Sequence, residues 1–578
     1  MSSAEGRYLI VYNGEIYNHL ELRDALGAQA WRGHSDTEIL LAAIVRWGLA
    51  DTLRRLVGMY AFALWDRQER TLTLARDRLG EKPLYYGWFG ETLLLGSELK
   101  ALRAHQECRP EIDRDALTAY LRYGYVPGPH SIYRNVRKLQ PGTFLAIDES
   151  RDQTADPVVY WSAIDVALSA QTQAFIGSDE EAANALEHLL NQTIAQECIA
   201  DVPLGAFLSG GVDSSLIVAL MQKQSARPVR TFTIGFNETA YNEAPYAAAV
   251  AKHLNTEHTT LIISAAEAQA IIPDLAEIYD EPFADSSQIP THLVCRMARQ
   301  HVTVSMSGDG GDELFGGYNR HVQAPRLWRT AGRLPAALRC LAGDSIAAIS
   351  PQRWDTLGRG WSKLRPGGEA SVRLGDKLHK LAGALRAENP EALYRHLVSQ
   401  WQSPQNIALR GHEPAPRSLN IPGLGIAEQM MLADTQRYLP DDILVKVDRA
   451  AMGVSLETRA PYLDHRIMEF AWRLPLAMKI RNGQGKYLLR QVLYRHVPQA
   501  LIERPKMGFG VPIDTWLRGA LRDWAEHLLD AKRLQEAGWF DPAPIRQLWE
   551  AHLAGRCNAQ HPLWTILMFQ AWQEKWLK

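Results

Sequence analysis

The 578-residue chain has few cysteines and no cysteine motif. The five are Cys108, Cys198, Cys295, Cys340 and Cys557. Their number is odd and none forms a CxxC pair, which argues against a disulfide-built scaffold and a zinc knuckle. Such usage is typical of a reducing compartment, so we expect a cytoplasmic protein.

Long apolar runs and an excess of either charge are also missing. No apolar run approaches the roughly 20 residues of a membrane-spanning helix, and residues 1–7 lack the apolar core of a signal peptide. Lys and Arg number 63 and Asp and Glu 65, for a formal net charge of -2. Nothing in this balance calls for nucleic acid or an anionic membrane as partner, although local basic patches are compatible with it.

Residues 1–150 have the pattern of a β-rich unit. Residues 8–12 predict a strand that ends in a turn at Asn13-Gly14, and residues 59–65 and 71–76 predict a hairpin. A capping box, Ser-Asp-Thr-Glu at residues 35–38, predicts a helix that ends at Gly48. The polar stretch 151–178 predicts a linker.

Residues 179–578 have a different pattern. A second capping box, at residues 178–181, begins a helix. Apolar strands are predicted at 204–208, 229–236 and 302–306, alternating with helices, and the chain is mostly helical from about residue 325. This alternation predicts an α/β fold with a parallel, doubly wound sheet.

The strongest chemical signal is Ser-Gly-Gly-Val-Asp-Ser at residues 209–214, directly after an apolar strand. Adjacent glycines let backbone N–H groups approach an anion, and the following helix N-terminus adds partial positive charge. Asp213 beside a phosphate implies an intervening Mg²⁺. A plain glycine turn with a helix cap is the alternative. The common nucleotide loop GxxxxGK[ST] is absent.

A second glycine-rich acidic loop, SMSGDGGDELFGGY, follows another predicted strand at residues 305–318. Asp312 is a natural second carboxylate for the Mg²⁺ at Asp213. A solvated acidic turn would explain the aspartates but not the glycine pairs. A third segment, RPKMGFG at residues 504–510, contains Lys506, a cation of the kind that stabilises charge on non-bridging oxygens. Taken alone, such a basic loop is more often solvated.

The hexapeptide at 209–214 resembles the pyrophosphate loop of the ATP-pyrophosphatase superfamily, whose members cleave ATP between the α and β phosphates. With further motifs, nearly the whole chain resembles the glutamine-hydrolysing asparagine synthetase family. These motifs are NGEIYN (13–18), SDTE (35–38), ARDRLGEKPLYY (75–86), SELK (97–100), TFTIGF (231–236), VDRAAM (447–452), ETRAPYLD (457–464) and GKYLLR (485–490).

The resemblance implies a two-domain amidotransferase. A partial Ntn-type α+β glutaminase sandwich (1–150) would release ammonia. A linker (151–178) would join it to a doubly wound ATP-pyrophosphatase domain with helical extensions (179–578). A tunnel would pass the ammonia to that domain, where ATP and aspartate form β-aspartyl-AMP and ammonia displaces AMP. A homodimer is compatible with this organisation.

The resemblance also implies roles for residues of the synthetase part. ATP would be bound by Leu208, Ser209, Gly210, Gly211, Asp213, Ser214, Ile234, Ser307, Gly308 and Lys486, of which Lys486 is the weaker assignment. Asp213 and Asp312 would hold Mg²⁺. Lys506 would stabilise the adenylation transition state, and Asp309 would lie where the acceptor is placed.

In the glutaminase part, the resemblance implies an oxyanion hole built by Asn13 and Gly14. Glu15 and Asp36 would bind glutamine, with Asp36 facing its ammonium group. A structural alternative for Asp36, an acid in the first turn of a helix, is equally sound physically.

The sequence departs from the family at the glutaminase nucleophile. The family uses a Cys as the mature N-terminal residue, with its α-amine as base. Here Cys108 is the nearest Cys and lies in the wrong motif, and only twelve residues precede Asn13. We expect a start codon assigned too late or a genuine truncation, and favour Ser2 less as a replacement. We therefore expect an exposed strand edge, and nitrogen taken from ammonia rather than glutamine.

Asp309 is a smaller departure, since some family members carry Glu there. The acceptor is therefore open between aspartate and another carboxylate, such as a sugar uronic acid. A β-lactam-forming relative is disfavoured because the glutaminase motifs persist. A tRNA-modifying relative would need a basic face or cysteine motifs, and neither is evident in this sequence. An alternative that is not an enzyme is a non-catalytic nucleotide-binding relative. The joint presence of residues 209–215, Asp312 and Lys506 argues against it.

Overall fold

The computed structural model describes residues 1–148, 155–238, 242–362, 374–415, 418, 420–504 and 510–577. Within these residues it shows a mixed α/β chain with three sheets. No helix of the described ranges is long and apolar enough to cross a membrane.

Two antiparallel sheets form the N-terminal part. The strands are β1 (Tyr8–Ile16), β2 (Gly58–Asp66), β3 (Thr71–Arg76), β4 (Tyr85–Phe89), β5 (Thr92–Gly96), β6 (Val136–Lys138), β7 (Thr143–Ile147) and β8 (Val158–Val159). The helices are α1 (His19–Leu26), α2 (Asp36–Trp47), α3 (Leu49–Arg55), α4 (Leu99–Arg103), α5 (Arg114–Tyr123) and α6 (Ala163–Thr172). One sheet has the order β1-β2-β3-β7-β8 and the other β5-β4-β6.

The predicted hairpin is confirmed as β2 and β3, but the turn predicted at Asn13-Gly14 is wrong. Strand β1 continues through both residues, with Asn13 opposite Ala61 and Gly14 opposite Tyr60 on β2. Pairing along β2 therefore overrides a local turn signal. As expected, β1 lies at a sheet edge, where Val11 is 69% exposed.

A five-stranded parallel sheet forms the centre of the C-terminal part. Its strands are β9 (Leu204–Phe207), β10 (Arg230–Phe236), β11 (Glu257–Ile263), β12 (Val304–Met306) and β13 (Glu457–Arg459). They run in the order β11-β10-β9-β12-β13, and each neighbouring pair is parallel. The carboxyl ends of β9 and β12 therefore meet at one edge of the sheet, where α/β proteins place their ligands.

Helices fill the rest of the C-terminal part. They are α7 (Asp179–Glu197), α8 (Val212–Gln224), α9 (Ala244–Leu254), α10 (Ala265–Gln269), α11 (Leu275–Tyr279), α12 (Gln288–Arg299), α13 (Gly311–Leu314), α14 (Asn319–Ala331), α15 (Ala336–Ala347), α16 (Pro351–Ser362), α17 (Leu374–Leu385), α18 (Pro390–Val398), α19 (Ile426–Ala433), α20 (Leu444–Met452), α21 (His465–Arg473), α22 (Leu476–Lys479), α23 (Tyr487–Leu493), α24 (Gln499–Ile502), α25 (Ile513–Arg518), α26 (Arg522–Leu528), α27 (Ala531–Ala537), α28 (Pro542–Leu553) and α29 (Gln560–Trp576). A π-helix, Asp434–Ile443, joins α19 to α20.

The two parts of the chain share one hydrophobic core. This core contains side chains of α5 in the N-terminal part, such as Leu117, together with Phe232 of the parallel sheet and Trp564 of α29. The hydroxyl of Tyr120 on α5 also donates to the Thr565 carbonyl at 2.8 Å. A second core, on α7, α8, α21 and α23, packs against the same sheet through Ala206 and Met306. Because apolar contacts cross between the parts, their sites are held in a fixed relation.

Candidate active site

The loop after β9 is shaped as an anion-binding turn. Gly210 has a φ of +71°, and a Cβ there would lie 2.9 Å from the backbone N of Ala247, so only glycine fits without strain. The Ser214 hydroxyl accepts from the backbone N of Ser209 at 3.1 Å and lies 3.0 Å from its Oγ. Helix α8 begins one residue after Gly211, so its N-terminal N–H groups open onto this loop.

The loop after β12 packs directly on the first. A Cβ on Gly308 would lie 2.8 Å from the backbone N of Ser214, and one on Gly311 would lie 2.6 Å from Oδ1 of Asp213. Both glycines therefore permit the close approach of the two loops. Ser307, at the start of the second loop, is buried. The structure thus brings together the two segments that the sequence analysis selected.

A lysine side chain enters between the two loops. Lys486 Nζ lies 2.7 Å from Asp312 Oδ1 and donates a short hydrogen bond to Asp213 Oδ2. Burial acts to lower the pKa of Lys486, but the two carboxylates outweigh it and raise that pKa. Lys486 also has a φ of +59°, a conformation that non-glycine residues adopt rarely and that concentrates at functional sites.

The carboxylates of Asp213 and Asp312 converge on one cation, which is the arrangement that Mg²⁺ also needs. No described group of three or more His, Cys, Asp or Glu side chains is placed to hold a metal. Two carboxylates with phosphate and water oxygens nevertheless form an ordinary Mg²⁺ environment. The donor set therefore fits Mg²⁺ bound together with a nucleotide.

The remaining residues predicted to contact ATP are Leu208, which directly follows β9, and Ile234, which lies within β10. Leu208 is buried, and its backbone N donates to the Phe232 carbonyl at 2.9 Å. Ile234 is buried on β10, the neighbouring strand. Both residues therefore contribute buried apolar side chains next to the two loops.

The basic segment at 504–510 is described only at its ends, and Lys506 lies outside the described residues. Arg504 is described, and its Nη2 donates to the Ser209 carbonyl at 3.1 Å. Its guanidinium also stacks over Tyr246 at 4.1 Å. Arg504 was not predicted from the sequence, although its position two residues before Lys506 was the available signal.

Asp309 is partly buried in the second loop. Burial raises the pKa of its carboxyl, and the neighbouring Lys446 opposes that shift. The charges of Asp213 and Asp312 also act on Asp309 and raise its pKa further. The Asp309 carboxyl therefore experiences the charges of both the two-loop site and Lys446.

The residues predicted to bind glutamine also come together. Asp36 begins α2, and its Oδ2 accepts from the Tyr12 hydroxyl at 2.7 Å and from the backbone N of Ile16 at 3.0 Å. The side-chain amide of Asn13 donates to Ser97 Oγ at 3.1 Å. A Cβ on Gly14 would lie 2.2 Å from the Met59 carbonyl oxygen, so β1 and β2 approach closely only because this residue is glycine.

Comparison with known proteins agrees with this geometry. The family model described as asparagine synthase matches residues 185–574, and the one described as a glutamine amidotransferase domain matches residues 1–161. The chain belongs to the asparagine synthase family. It is therefore a carbon–nitrogen ligase with an amidotransferase part, and this membership supports ATP as its nucleotide.

Three relatives illustrate the similarity. A putative glutamine-hydrolyzing asparagine synthetase of Mycobacterium tuberculosis is 35% identical, over 98% of this chain and 84% of that protein. Asparagine synthetase 1 of Bacillus subtilis is 31% identical, over 99% of this chain and 86% of that protein. A putative asparagine synthetase 2 of Methanocaldococcus jannaschii is 34% identical, over 77% of this chain and 81% of that protein.

In this asparagine synthase family member, charged contacts link the two parts of the chain through α20. Arg449 Nη2 donates to the Ser97 carbonyl at 2.6 Å, and Arg449 Nη1 to Glu98 Oε1 at 3.1 Å. Ser97 is also the partner of Asn13. Ser97 and Arg449 both belong to segments that resemble the family, but the sequence alone did not predict their contact. The helix therefore ties the predicted oxyanion hole to the synthetase part.

Lys82 and Asp448 form a buried ion pair across the same interface. Their side chains are 5% and 9% exposed, and Lys82 Nζ lies 3.1 Å from Asp448 Oδ1. We expect Lys82→Met to lower the free energy of unfolding by about 3 kcal/mol, because Asp448 loses its hydrogen-bonded cation while staying buried. Urea unfolding measures this loss.

Two controls accompany the Lys82 experiment. The double variant Lys82→Met/Asp448→Leu should recover most of the stability, because neither charge is then buried. Arg54→Met, which removes an exposed ion pair with Asp51, should change the free energy of unfolding by less than about 0.5 kcal/mol. Equal losses for Lys82→Met and the double variant would contradict the prediction.

Arg459 makes a second link between the parts. Its side chain lies 3.7 Å from Glu15 Oε2 and 2.6 Å from Glu457 Oε1, and its backbone carbonyl accepts from the Ser307 backbone N at 2.8 Å. Arg459 therefore contacts a residue of the predicted glutamine site and a residue of the second loop. No role for Arg459 was predicted from the sequence, since nothing local to residue 459 indicates these partners.

The Glu15 carboxylate lies near the like charge of Asp36 and the opposite charge of Arg459. Burial, with the nearby charge of Asp36, raises the pKa of Glu15 to about 7, and Arg459 opposes the shift. This pKa lies above the ordinary value of 4.5, so between about pH 4.5 and pH 7 the folded chain keeps a proton that the unfolded chain has lost. The contribution of Glu15 to stability therefore falls as pH rises through this window.

We expect Glu15→Gln to remove that pH-dependent penalty. At pH 8 the variant should exceed the unchanged chain in free energy of unfolding by about 2 kcal/mol, and at pH 4 the two should be nearly equal. Denaturant unfolding at both pH values measures the difference. Glu5→Gln, at an exposed position, serves as control. A Glu15→Gln effect that is the same at both pH values would contradict the prediction.

Proposed function

We propose that this chain joins the side-chain carboxylate of aspartate to AMP and then to ammonia. In the first step a carboxylate oxygen attacks the α-phosphorus of ATP, giving β-aspartyl-AMP and pyrophosphate. In the second step ammonia attacks the β-carbonyl carbon, AMP leaves, and a proton is released with asparagine. The observation that carries the proposal is the meeting of two glycine-rich loops around Asp213, Lys486 and Asp312.

Each part of this site has a task in the first step. The N–H groups of residues 209–214 and the N-terminus of α8 would bind the pyrophosphate. Asp213 and Asp312 would hold Mg²⁺, which neutralises charge on the phosphates when it is bound. Arg504, which contacts Ser209, would keep the first loop in place. We assign Lys506 to the developing charge on the α-phosphate by resemblance alone.

We further propose the domain division 1–150, 151–178 and 179–578, with a partial Ntn-type glutaminase followed by a doubly wound ATP-pyrophosphatase domain. Asn13, Gly14, Glu15 and Asp36 would form its glutamine-binding surface. Cysteine usage supports a cytoplasmic location.

Exchange of labelled pyrophosphate into ATP tests the adenylation step with a panel of acceptors. We expect Mg²⁺-dependent exchange with aspartate and none with glucuronate or galacturonate. With ammonium chloride added, asparagine and AMP should form in equal amounts. Exchange with a uronate but not with aspartate would overturn the proposed acceptor. Nucleotide binding without exchange for any acceptor would instead support a non-catalytic protein.

A further inference from the structure

A stripe of leucines faces outward from the helical region that follows the second loop. Leu334, Leu338 and Leu341 are between 51% and 63% exposed and lie along α15 and the turn just before it. Their spacing of four and three residues places them on one side of the helix. Exposed apolar residues are usually scattered singly, so three on one side of a helix indicate a binding surface.

The opposite side of α15 packs against α17. Gly343 is buried, and a Cβ there would lie 2.8 Å from the Ala382 carbonyl oxygen. Asp344 Oδ1 accepts from Arg386 Nε at 2.8 Å, which ties α15 to the end of α17. Because these contacts already hold α15 in place, the leucine stripe remains available for a partner outside the chain.

A stripe of arginines lies on the preceding helix, α14. Arg326, Arg329 and Arg333 are exposed and recur every three to four residues, so they share one side of the helix and its end. None of the three forms an ion pair with a residue in the described ranges. Residues 326–353 contain five arginines and a single acid, Asp344. The region therefore carries a local positive charge that nothing nearby in the sequence compensates.

The two stripes meet where α14 ends and α15 begins. The Arg339 guanidinium lies over the Trp328 ring, 4.7 Å from its centroid, which joins the end of α14 to the start of α15. Arg333 and Leu334 are consecutive in the turn between these helices. We call the combined surface the α14–α15 corner, and its residues are Arg326, Arg329, Arg333, Leu334, Leu338 and Leu341.

We propose that the α14–α15 corner docks reversibly on an anionic lipid membrane. The arginines would contact the negatively charged head groups, while the leucines enter the boundary between head groups and acyl chains. A nucleic acid would pair with the arginines but leave the leucines in water. A second copy of the chain docked through the same face would bring the arginines of both copies together, and like charges repel. The net charge of the whole chain does not reveal this surface, because the cations are concentrated in one region.

Flotation of the full chain with lipid vesicles tests the docking. Vesicles of phosphatidylcholine with about one-third phosphatidylglycerol should bind the chain, and pure phosphatidylcholine vesicles should bind it at least about 10-fold more weakly. Raising NaCl from about 0.1 M to about 0.5 M should weaken binding to the anionic vesicles at least about fivefold, because salt screens the arginine charges. Equal binding to both kinds of vesicle, or binding to neither, would overturn the proposal.

Two double variants separate the contributions of the stripes. Leu338→Ser/Leu341→Ser should lower the affinity for anionic vesicles about 10-fold or more, because less apolar surface enters the membrane. Arg329→Gln/Arg333→Gln should lower it by a similar factor and should also reduce its salt dependence. Thermal unfolding should be the same for both variants and the unchanged chain, since all four side chains are exposed.

The matched control removes one leucine and one arginine from exposed positions of the N-terminal part. This variant, Leu20→Ser/Arg109→Gln, should bind vesicles as the unchanged chain does. A loss in the arginine variant alone would indicate a polyanion such as RNA or an acidic protein, and would overturn membrane docking. So would an altered oligomeric state in the leucine variant with unchanged vesicle binding, which would assign the stripe to contacts between copies. Flotation requires no catalysis, so its outcome is independent of the proposed function.

Discussion

Glutamine is expected to support asparagine formation at less than about one-thousandth of the rate with ammonia in the polypeptide of the printed sequence, because a glutaminase site without an activated nucleophile typically loses at least that factor. A cysteine nucleophile must be largely thiolate, which requires a lowered pKa. Burial instead raises the pKa of the Cys108, Cys295 and Cys557 thiols, and raises that of Cys198 to about 11. These four thiols therefore have the opposite of the required environment.

The measurement compares asparagine formed from ammonium chloride with that formed from glutamine freed of contaminating ammonia. Glutamate release without ATP should likewise stay at background. Cys108→Ser is the control, since Cys108 is the cysteine nearest in sequence to the glutaminase motifs, and it should change neither rate. Equal turnover with the two nitrogen sources would contradict the prediction. Loss of a glutamine-dependent rate in Cys108→Ser would identify that thiol as the nucleophile.

The two-loop site could be predicted from the sequence because its parts are local. An apolar strand followed by paired glycines and a helix start is visible at 204–215 and again at 302–312. Parallel strands then bring both loops to one sheet edge. The mixed α/β character followed from the same alternation.

The contacts of Lys486 could not be predicted from the local sequence. Its side chain joins Asp213 and Asp312 only because its backbone is left-handed and because Gly485 lets the segment pack on the second loop, where a Cβ would lie 2.1 Å from the Gly316 carbonyl oxygen. Neither feature can be read from residue types alone. The sequence therefore supports only a weak prediction that Lys486 contacts the nucleotide.

Contacts between the N-terminal and C-terminal parts of the chain could not be predicted from the sequence either. Lys82 and Asp448 are 366 positions apart, and no periodicity or motif connects them. At Asn13-Gly14 the failure had the opposite cause. The local turn signal at these two residues was strong, but the nine paired positions between β1 and β2 override it.

Asp213→Asn is expected to lower aspartate-dependent pyrophosphate exchange by about 100-fold or more, since even outer-shell ligands of a metal typically contribute 10- to 100-fold. Asparagine keeps the size of the side chain but removes the charge that Asp213 contributes beside Asp312. Lys486 stays paired with Asp312 at 2.7 Å, so the chain should remain folded. The loss should therefore appear in catalysis and not in thermal unfolding.

The experiment measures exchange at saturating aspartate while Mg²⁺ is titrated. Asp213→Asn should need more Mg²⁺ for half-maximal exchange, because one of two carboxylate ligands is gone. Asp201→Asn, at an exposed position shortly before β9, is the matched control and should behave as the unchanged chain does. Exchange within about threefold of the unchanged chain, with the same Mg²⁺ dependence, would show that Asp213 is not a metal ligand. Its contact with Lys486 would then be structural, and the pyrophosphate loop would act through its backbone N–H groups alone.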